Sequence, residues 1–234
     1  MKIFSRFTAL MVLVLAVIVF IPVQSHAAVG DSFTKDQLKF TVLTEEGATG
    51  TVSVEAESKD ISGDITIPSS IEKDGYTYSV TIIPDSAFKE CKKLTVLTVP
   101  NGITSIGKGA FASCYKLEKA VLPDNVTSIG SGAFGRCLSL KNINIPNKIT
   151  IINWGVFCCC WELEEITIPN SVTEIDFAGF AFCYQLKSIV IPESVIRLGD
   201  AAFAGCRSLA SVNYSGNRPL MGKDVFVETP LEHD

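Results

Sequence analysis

The cysteines are the residues of this sequence whose type and spacing first suggest chemistry. The chain has eight, and three of them are consecutive at Cys158, Cys159 and Cys160. Six recur at a fixed interval of 23 residues, at Cys91, Cys114, Cys137, Cys160, Cys183 and Cys206. Thiols form disulfides, bind metal ions or act as nucleophiles, and the spacing must decide among these chemistries.

Histidine, the usual base for a nucleophilic cysteine or serine, is nearly missing. After His26 the chain has only His233, one residue from its end. A Cys-His or Ser-His-Asp site needs this base held rigidly, which a chain end does not provide. The run of three cysteines falls on a predicted short helix and is a poor metal site, because consecutive helical residues point in different directions. With no zinc-ligand spacing, phosphate loop or calcium loop, we expect a protein that is not an enzyme and needs no cofactor or metal.

The 23-residue interval extends to other residue types. Phenylalanine precedes each cysteine of the series by three residues and leucine follows it by three. The phenylalanines are Phe88, Phe111, Phe134, Phe157, Phe180, Phe203 and Phe226, and a proline recurs at Pro100, Pro123, Pro146, Pro169 and Pro192. A fixed period of this length is typical of a solenoid, in which stacked units bury one continuous core.

Each repeat contains the pattern of two local elements. The alternation over residues 166–168 predicts a strand with one buried face, which Pro169 ends. Phe180, Cys183 and Leu186 are three residues apart, the spacing of one face of a short helix. The sequence therefore predicts an α/β solenoid, a stack of short parallel strands and short helices.

The ends of the chain differ from the repeats. Residues 38–43 and 51–56 alternate in polarity around a polar turn, which predicts an N-terminal β-hairpin cap, and Asp74-Gly75 predicts a second hairpin. We therefore divide the chain into a leader at residues 1–27, a β cap at 28–60, the solenoid at 61–226 and a tail at 227–234.

The leader has the layout of a secretory signal peptide. Lys2 and Arg6 precede an uncharged stretch, residues 8–23, and small residues frame a cut after Ala27. An uncleaved anchor is the alternative, since this stretch approaches the membrane-spanning minimum of about 17 residues. Cleavage predicts a secreted or cell-surface protein without a membrane segment.

Periodicity and export have opposite implications for the cysteines. In exported proteins, cysteines are usually oxidised to disulfides. The six periodic cysteines, however, share one column, where parallel side chains favour a ladder of free buried thiols over bridges between repeats. The net charge of −5 and the lack of a basic tract argue against nucleic acid as a partner.

The pattern Leu-x-x-Ile-x-Ile-Pro-x-x-Val-Thr-x-Ile-Gly-x-x-Ala-Phe-x-x-Cys resembles the BspA-like leucine-rich repeat. Residues 117–137 fit it well, and the resemblance covers roughly residues 61–226. Members of that family are secreted or cell-surface proteins, mostly bacterial, and several are associated with adhesion. The resemblance implies a protein-binding or adhesion module here, with an extracellular protein or glycan as partner.

Two surfaces are candidates for binding. Aromatic side chains occupy columns that are polar or variable in other repeats, at Trp154, Trp161, Phe177, Phe182 and Tyr184. These rings either anchor a partner or fill gaps beside the core. The alternative is the polar outward face of the predicted strands, at Asn142, Asn144, Glu165 and Thr167. A structural spacer without a ligand is the competing function.

Overall fold

The computed structural model describes residues 27–232, so residues 1–26 of the predicted leader and His233 lie outside the described residues. Short strands and turns account for the regular structure of this part of the chain. The strands are β1 (Ser32–Lys35), β2 (Leu38–Glu46), β3 (Thr49–Ala56), β4 (Ser62–Thr66), β5 (Ser70–Lys73), β6 (Tyr76–Ile83), β7 (Lys93–Thr98), β8 (Ser105–Ile106), β9 (Lys119–Val121), β10 (Ser128–Ile129), β11 (Asn142–Ile143), β12 (Ile151–Ile152), β13 (Glu174–Ile175), β14 (Ser188–Ile191), β15 (Arg197–Leu198), β16 (Ser211–Tyr214) and β17 (Leu220–Met221).

Strands β2 and β3 form an antiparallel hairpin, as the sequence predicts, and β1 pairs antiparallel with the other edge of β2. Strand β3 then pairs in parallel with β6, so the hairpin covers the end of the repeat stack. The second predicted hairpin is also present, between β5 and β6. Asp74 and Gly75 both have positive φ at its turn, the conformation that a type I′ turn requires.

The core of the stack is a column of phenylalanine rings. Neighbouring rings are nearly parallel, and from Phe88 to Phe203 their centroids lie 5.1–6.0 Å apart. These side chains are at most 1% exposed. Because each ring packs on the equivalent ring of the next repeat, the 23-residue period directly sets the core. We name each repeat by its phenylalanine.

The prediction of short helices is wrong: the described residues contain no helix. The residues around each core phenylalanine form consecutive turns, whose N–H groups alternate between two kinds of acceptor. The N–H groups of Gly109, Phe111 and Ser113 donate to carbonyls of the next repeat at 2.8–2.9 Å. Those of Ala112 and Cys114 donate to carbonyls three residues earlier, at 3.0 and 3.2 Å.

This alternation is incompatible with an α-helix, in which every N–H group points along the helix to the carbonyl four residues earlier. Left-handed residues redirect the backbone twice in each turn segment, at Gly109 and Ser113 in the Phe111 repeat and at Gly132 and Arg136 in the next. A spacing of three along Phe, Cys and Leu therefore places side chains on one face of a turn ladder as readily as on a helix.

The column cysteines form the ladder of buried thiols that their period predicts. All eight cysteines lie within the described residues and none is bonded to another. The Cys114 thiol donates to the Phe88 carbonyl at 3.1 Å, and the next four column cysteines repeat this contact at 3.1–3.4 Å. Burial raises the pKa of Cys91 to about 11 and that of Cys137 to about 12, which keeps these thiols protonated.

The first strand ladder is interrupted in the Phe180 repeat. Strands β4, β7, β9 and β11 form one sheet and β14 and β16 another. The strand predicted at residues 166–168 is absent, and that prediction is wrong. Among the described residues, no backbone hydrogen bond involves the N–H or C=O groups of residues 165–168.

The second ladder is interrupted one repeat earlier. Strand β10 ends one sheet, and β12 begins another that continues through β13, β15 and β17. The Phe134 and Phe157 rings on either side of this break are 6.0 Å apart, the widest spacing in the column. On the turn side the two repeats stay joined, since Gly132 N–H donates to the Trp154 carbonyl at 2.8 Å. At this point neighbouring repeats therefore remain hydrogen-bonded along the turns but are separated along the strands, so that the stack is wedged open on its strand side.

Candidate functional site

The turn side of the stack carries an apolar groove of about 530 Å³, which we call the aromatic groove. Trp154 and Phe177 stack on each other with their centroids 6.4 Å apart, and Phe182 also lines the groove. These three side chains are 53%, 44% and 37% exposed. The structure thus brings together three of the five aromatic residues that the sequence singles out and leaves each open to solvent.

Small residues create the space between these rings. Ala178, Ala181 and Ala204 form a separate buried cluster beneath the groove, apart from the phenylalanine core. Phe182 has φ of 59°, and this left-handed position turns its ring out of the stack. A Cβ built at Gly205 would come 2.4 Å from that ring, so a side chain there would displace it. The groove is therefore a product of the turn geometry and of the small residues in neighbouring columns.

Arg136 sets the electrostatic character of the groove. Of the described residues that line it, Arg136 is the only lysine, arginine, aspartate or glutamate. Arg136 is not among the binding residues predicted from the sequence, although its column holds Ser113 and Phe182 in other repeats. An apolar groove with one cation at its edge suits an apolar group that has a negative charge nearby.

Trp161 and Tyr184 lie beside the aromatic groove and do not line it. Their rings stack with centroids 5.6 Å apart, and Tyr184 meets Phe182 edge to face at 6.4 Å. Arg207 covers the other side of Tyr184, with its guanidinium carbon 5.0 Å from the ring centroid. This pair extends the aromatic surface, with Trp161 41% exposed.

The opposite side of the stack has a second groove of about 860 Å³, lined by both polar and apolar residues, which we call the strand-face groove. It is lined by all four residues of the alternative face, Asn142, Asn144, Glu165 and Thr167. The groove lies where the first strand ladder is interrupted, so the unpaired backbone of residues 165–168 is also at this surface.

The sequence profile of the BspA type leucine rich repeat region matches this chain in six copies, over residues 64–184 and 173–233. The match covers well over half of the chain. The chain belongs to the BspA-type leucine-rich repeat family.

Solved structures of bacterial leucine-rich repeat proteins share the fold. The leucine rich repeat protein of T. pallidum superposes with a TM-score of 0.70 at 29% identity, over 82% of this chain and 86% of that one. A leucine rich cell surface protein of Faecalibacterium prausnitzii gives a TM-score of 0.58 at 28% identity, over 80% of this chain. The match spans just 55% of the F. prausnitzii chain. No curated protein matches this one.

Two residues that line the aromatic groove, Cys158 and Cys159, differ in type from the residues in the same columns of the other repeats of this chain. Their Sγ atoms are 3.5 Å apart, whereas Cys160 belongs to the buried column. On the predicted helix these three side chains would diverge. In the observed turn the side chains of Cys158 and Cys159 converge. The sequence feature that could have predicted this pair is the presence of two adjacent cysteines outside the 23-residue cysteine column.

Neither groove holds a set of metal ligands. Within residues 27–232, no group of three or more histidine, cysteine, aspartate or glutamate side chains is arranged to bind a metal ion. The same part of the chain has no helix long and apolar enough to cross a membrane.

Proposed function

We propose that this protein is an exported, non-catalytic module that binds another extracellular protein through the aromatic groove. The observation that supports the proposal is the stacked, half-exposed pair Trp154 and Phe177 at an apolar groove. Other repeats place Lys108, Ser131 and Asp200 in that column, so the stack does not require an aromatic ring there. Exposed apolar clusters with tryptophan at their centre are typical of protein interfaces.

The proposed partner presents an apolar side chain with a carboxylate close to it. The groove volume of about 530 Å³ is enough for a large side chain and its neighbours. Arg136 at the edge of the groove would pair with the carboxylate, which sets orientation and selects against cationic partners. Truncation of an aromatic anchor at the centre of an interface typically reduces the binding free energy by about 2 kcal/mol or more.

Export is part of the proposal. It is supported by the layout of residues 1–27 and by the cell-surface description of the F. prausnitzii protein. N-terminal sequencing of the protein isolated from its native source should give Ala28 as the first residue. A native protein that begins at Met1 would refute cleavage of the leader.

The binding proposal is tested with the mature chain and a panel of purified extracellular matrix proteins, measured by biolayer interferometry. The double variant Trp154→Ala with Phe177→Ala should weaken binding about tenfold or more. Arg136→Glu should weaken it by reversing the charge at the groove edge. Thermal unfolding of each variant should match the parent chain, because the substituted side chains are exposed.

The matched control changes the opposite face, as Glu165→Ala with Thr167→Ala. Normal binding by this control, with loss in the Trp154 and Phe177 variant, supports the aromatic groove. Loss in the control alone moves the site to the strand-face groove. A chain that binds no member of the panel contradicts the proposal and favours a spacer.

The strand-face groove is a second candidate site, for an extended peptide. Residues 165–168 offer unpaired backbone N–H and C=O groups beside the groove. A peptide in extended conformation satisfies such groups by pairing as an added strand, which depends little on its sequence. Isotope-edited infrared spectra should then show new β-type amide signals in the bound peptide, whereas a glycan ligand would give none.

A further inference from the structure

The aromatic groove contains a pair of neighbouring thiols. Cys158 and Cys159 are both partly exposed, and their Sγ atoms are 3.5 Å apart in hydrogen-bonding contact. They lie among the exposed rings of Trp154, Phe177 and Phe182. A molecule that enters the groove therefore reaches both sulfur atoms.

Packing does not explain why these two positions are cysteines. The column of Cys158 holds alanine or glycine in other repeats, at Ala112, Gly135, Ala181 and Ala204. The column of Cys159 is variable, with Ser113, Arg136, Phe182 and Gly205. The core function of cysteine in this fold is served by Cys160, which is fully buried. The doublet adds chemistry that the repeat does not need for stability.

We propose that Cys158 and Cys159 are a reactive dithiol that exchanges with a disulfide entering the aromatic groove and closes reversibly into a bond between the two residues. The Cys159 thiolate attacks one sulfur of the disulfide, whose S–S bond breaks and releases one half as a thiolate that takes up a proton. Cys158 then loses its proton and attacks Sγ of Cys159, and the second half leaves and takes up that proton. Two protein thiols are oxidised and one disulfide is reduced to two thiols.

The surroundings distinguish an attacking thiol from a resolving one. The hydrogen bond with Cys158, aided by the positive charge of Arg136 and opposed by burial, lowers the pKa of Cys159 to about 7. The same hydrogen bond, together with burial, raises the pKa of Cys158. A thiol with a pKa near the ambient pH is the best nucleophile in exchange, because it combines thiolate population with basicity. Cys159 is therefore the attacking residue and Cys158 the resolving one.

The closed form is expected to be labile. Consecutive Cα atoms are about 3.8 Å apart across a trans peptide, closer than the roughly 4.4–6.8 Å of ordinary disulfides. A bond formed at that separation is strained, and strained disulfides are easily reduced. The site thus suits reversible exchange, whereas the column thiols, hydrogen-bonded inside the core, do not.

The test uses the folded mature chain and 4,4′-dithiodipyridine, an apolar disulfide that fits the aromatic groove, with oxidised glutathione as a bulky polar counterpart. The parent chain should release both halves of the probe as free thiol and retain no adduct. Peptide mapping should place a bond between Cys158 and Cys159, and dithiothreitol should remove it. Faster reaction with the apolar probe identifies small apolar disulfides as the substrates, and reaction with both extends the site to accessible disulfides in general.

Matched variants separate the two roles. Cys158→Ser keeps a hydrogen-bond donor to Cys159 but cannot resolve, so it should react at a rate near that of the parent and retain the probe as a stable adduct. Cys158→Ala loses the donor and should form the same adduct more slowly. Cys159→Ser should react at least tenfold more slowly than the parent. Stable adducts on both cysteines of the parent, no reaction in the folded chain, or equal rates in the two serine variants would overturn the proposal.

Discussion

The side-chain amide of Asn144 pairs with the backbone of Leu122. Leu122 N–H donates to Asn144 Oδ1 at 2.9 Å, and Asn144 Nδ2 donates to the Leu122 carbonyl at 2.7 Å. In the preceding repeat the equivalent bond is a backbone one, from Val99 N–H to the Val121 carbonyl at 3.0 Å. The longer reach of the asparagine side chain thus bridges two repeats where the strand side of the stack is wedged open.

Removal of this bridge should lower stability. Asn144→Val, the residue found at Val121 in the same column, leaves the Leu122 backbone groups without a protein partner. The expected loss in the free energy of unfolding is about 1 kcal/mol, because these groups are partly buried. Urea unfolding measures it, with exposed Asn142→Val as the control that should cost under about 0.5 kcal/mol. Unchanged stability would mean that the wedge closes and restores the backbone pairing.

Asn153 plays the corresponding role in the second ladder. It stands in the column of Gly107 and Gly130, and its Nδ2 donates to the Ile129 carbonyl at 2.8 Å. A Cβ built at Gly130 comes 2.5 Å from the backbone nitrogen of Lys108, so a side chain there must push the repeats apart.

The loss of stability on substitution of Gly130 should therefore depend on the hydrogen-bonding capacity of the new side chain. Gly130→Ala should cost about 1–3 kcal/mol, in the range of overpacked sites. Gly130→Asn should cost less, because its amide can reach the Ile106 carbonyl as Asn153 reaches that of Ile129. Thermal unfolding measures the stability of both variants, with the exposed substitution Lys108→Ala as the control. A larger loss for asparagine than for alanine contradicts this account of the wedge.

The phenylalanine column should dominate the stability of the stack. Phe134 is fully buried between two other rings, and Phe134→Ala should cost about 3–5 kcal/mol. The exposed control Lys141→Ala should cost under about 0.5 kcal/mol. Chemical unfolding provides the comparison, and equal losses would be inconsistent with the 23-residue register.

The pH dependence of thiol alkylation should distinguish the groove cysteines from the buried column cysteines. With iodoacetamide on the folded chain, the rate at Cys159 should rise as the pH increases through about 7, because the thiolate is the reacting form. Cys137, whose pKa burial raises to about 12, should stay unmodified until denaturant exposes it. Mass spectrometry of the digested chain assigns the sites. Alkylation of Cys137 in the folded chain at the rate of Cys159 would be incompatible with the buried ladder.

The period of the sequence was sufficient to predict the core. Repeats that stack on their nearest neighbours place equivalent residues in equivalent surroundings, so a column of phenylalanine or cysteine in the sequence is a column in space. For the same reason the columns identified Trp154 and Phe177 as rings outside the core before their positions were known. The two predicted hairpins also depended on local sequence, since the turn at Asp74-Gly75 needs only residues that accept positive φ.

Tertiary structure alone decided the three features that shape the candidate sites. The spacing of Phe180, Cys183 and Leu186 fits a helix or a turn ladder, and the choice depends on hydrogen bonds to the next repeat, which no single repeat contains. The missing strand at residues 165–168 reflects how far apart neighbouring repeats lie, a distance that the alternation of apolar residues does not encode. The approach of Cys158 to Cys159 follows from the left-handed backbone at Cys159, where φ is 60°. The sequence pattern within a repeat determines which side chains are buried. The contacts between repeats determine the direction of the backbone and therefore the positions of the exposed side chains.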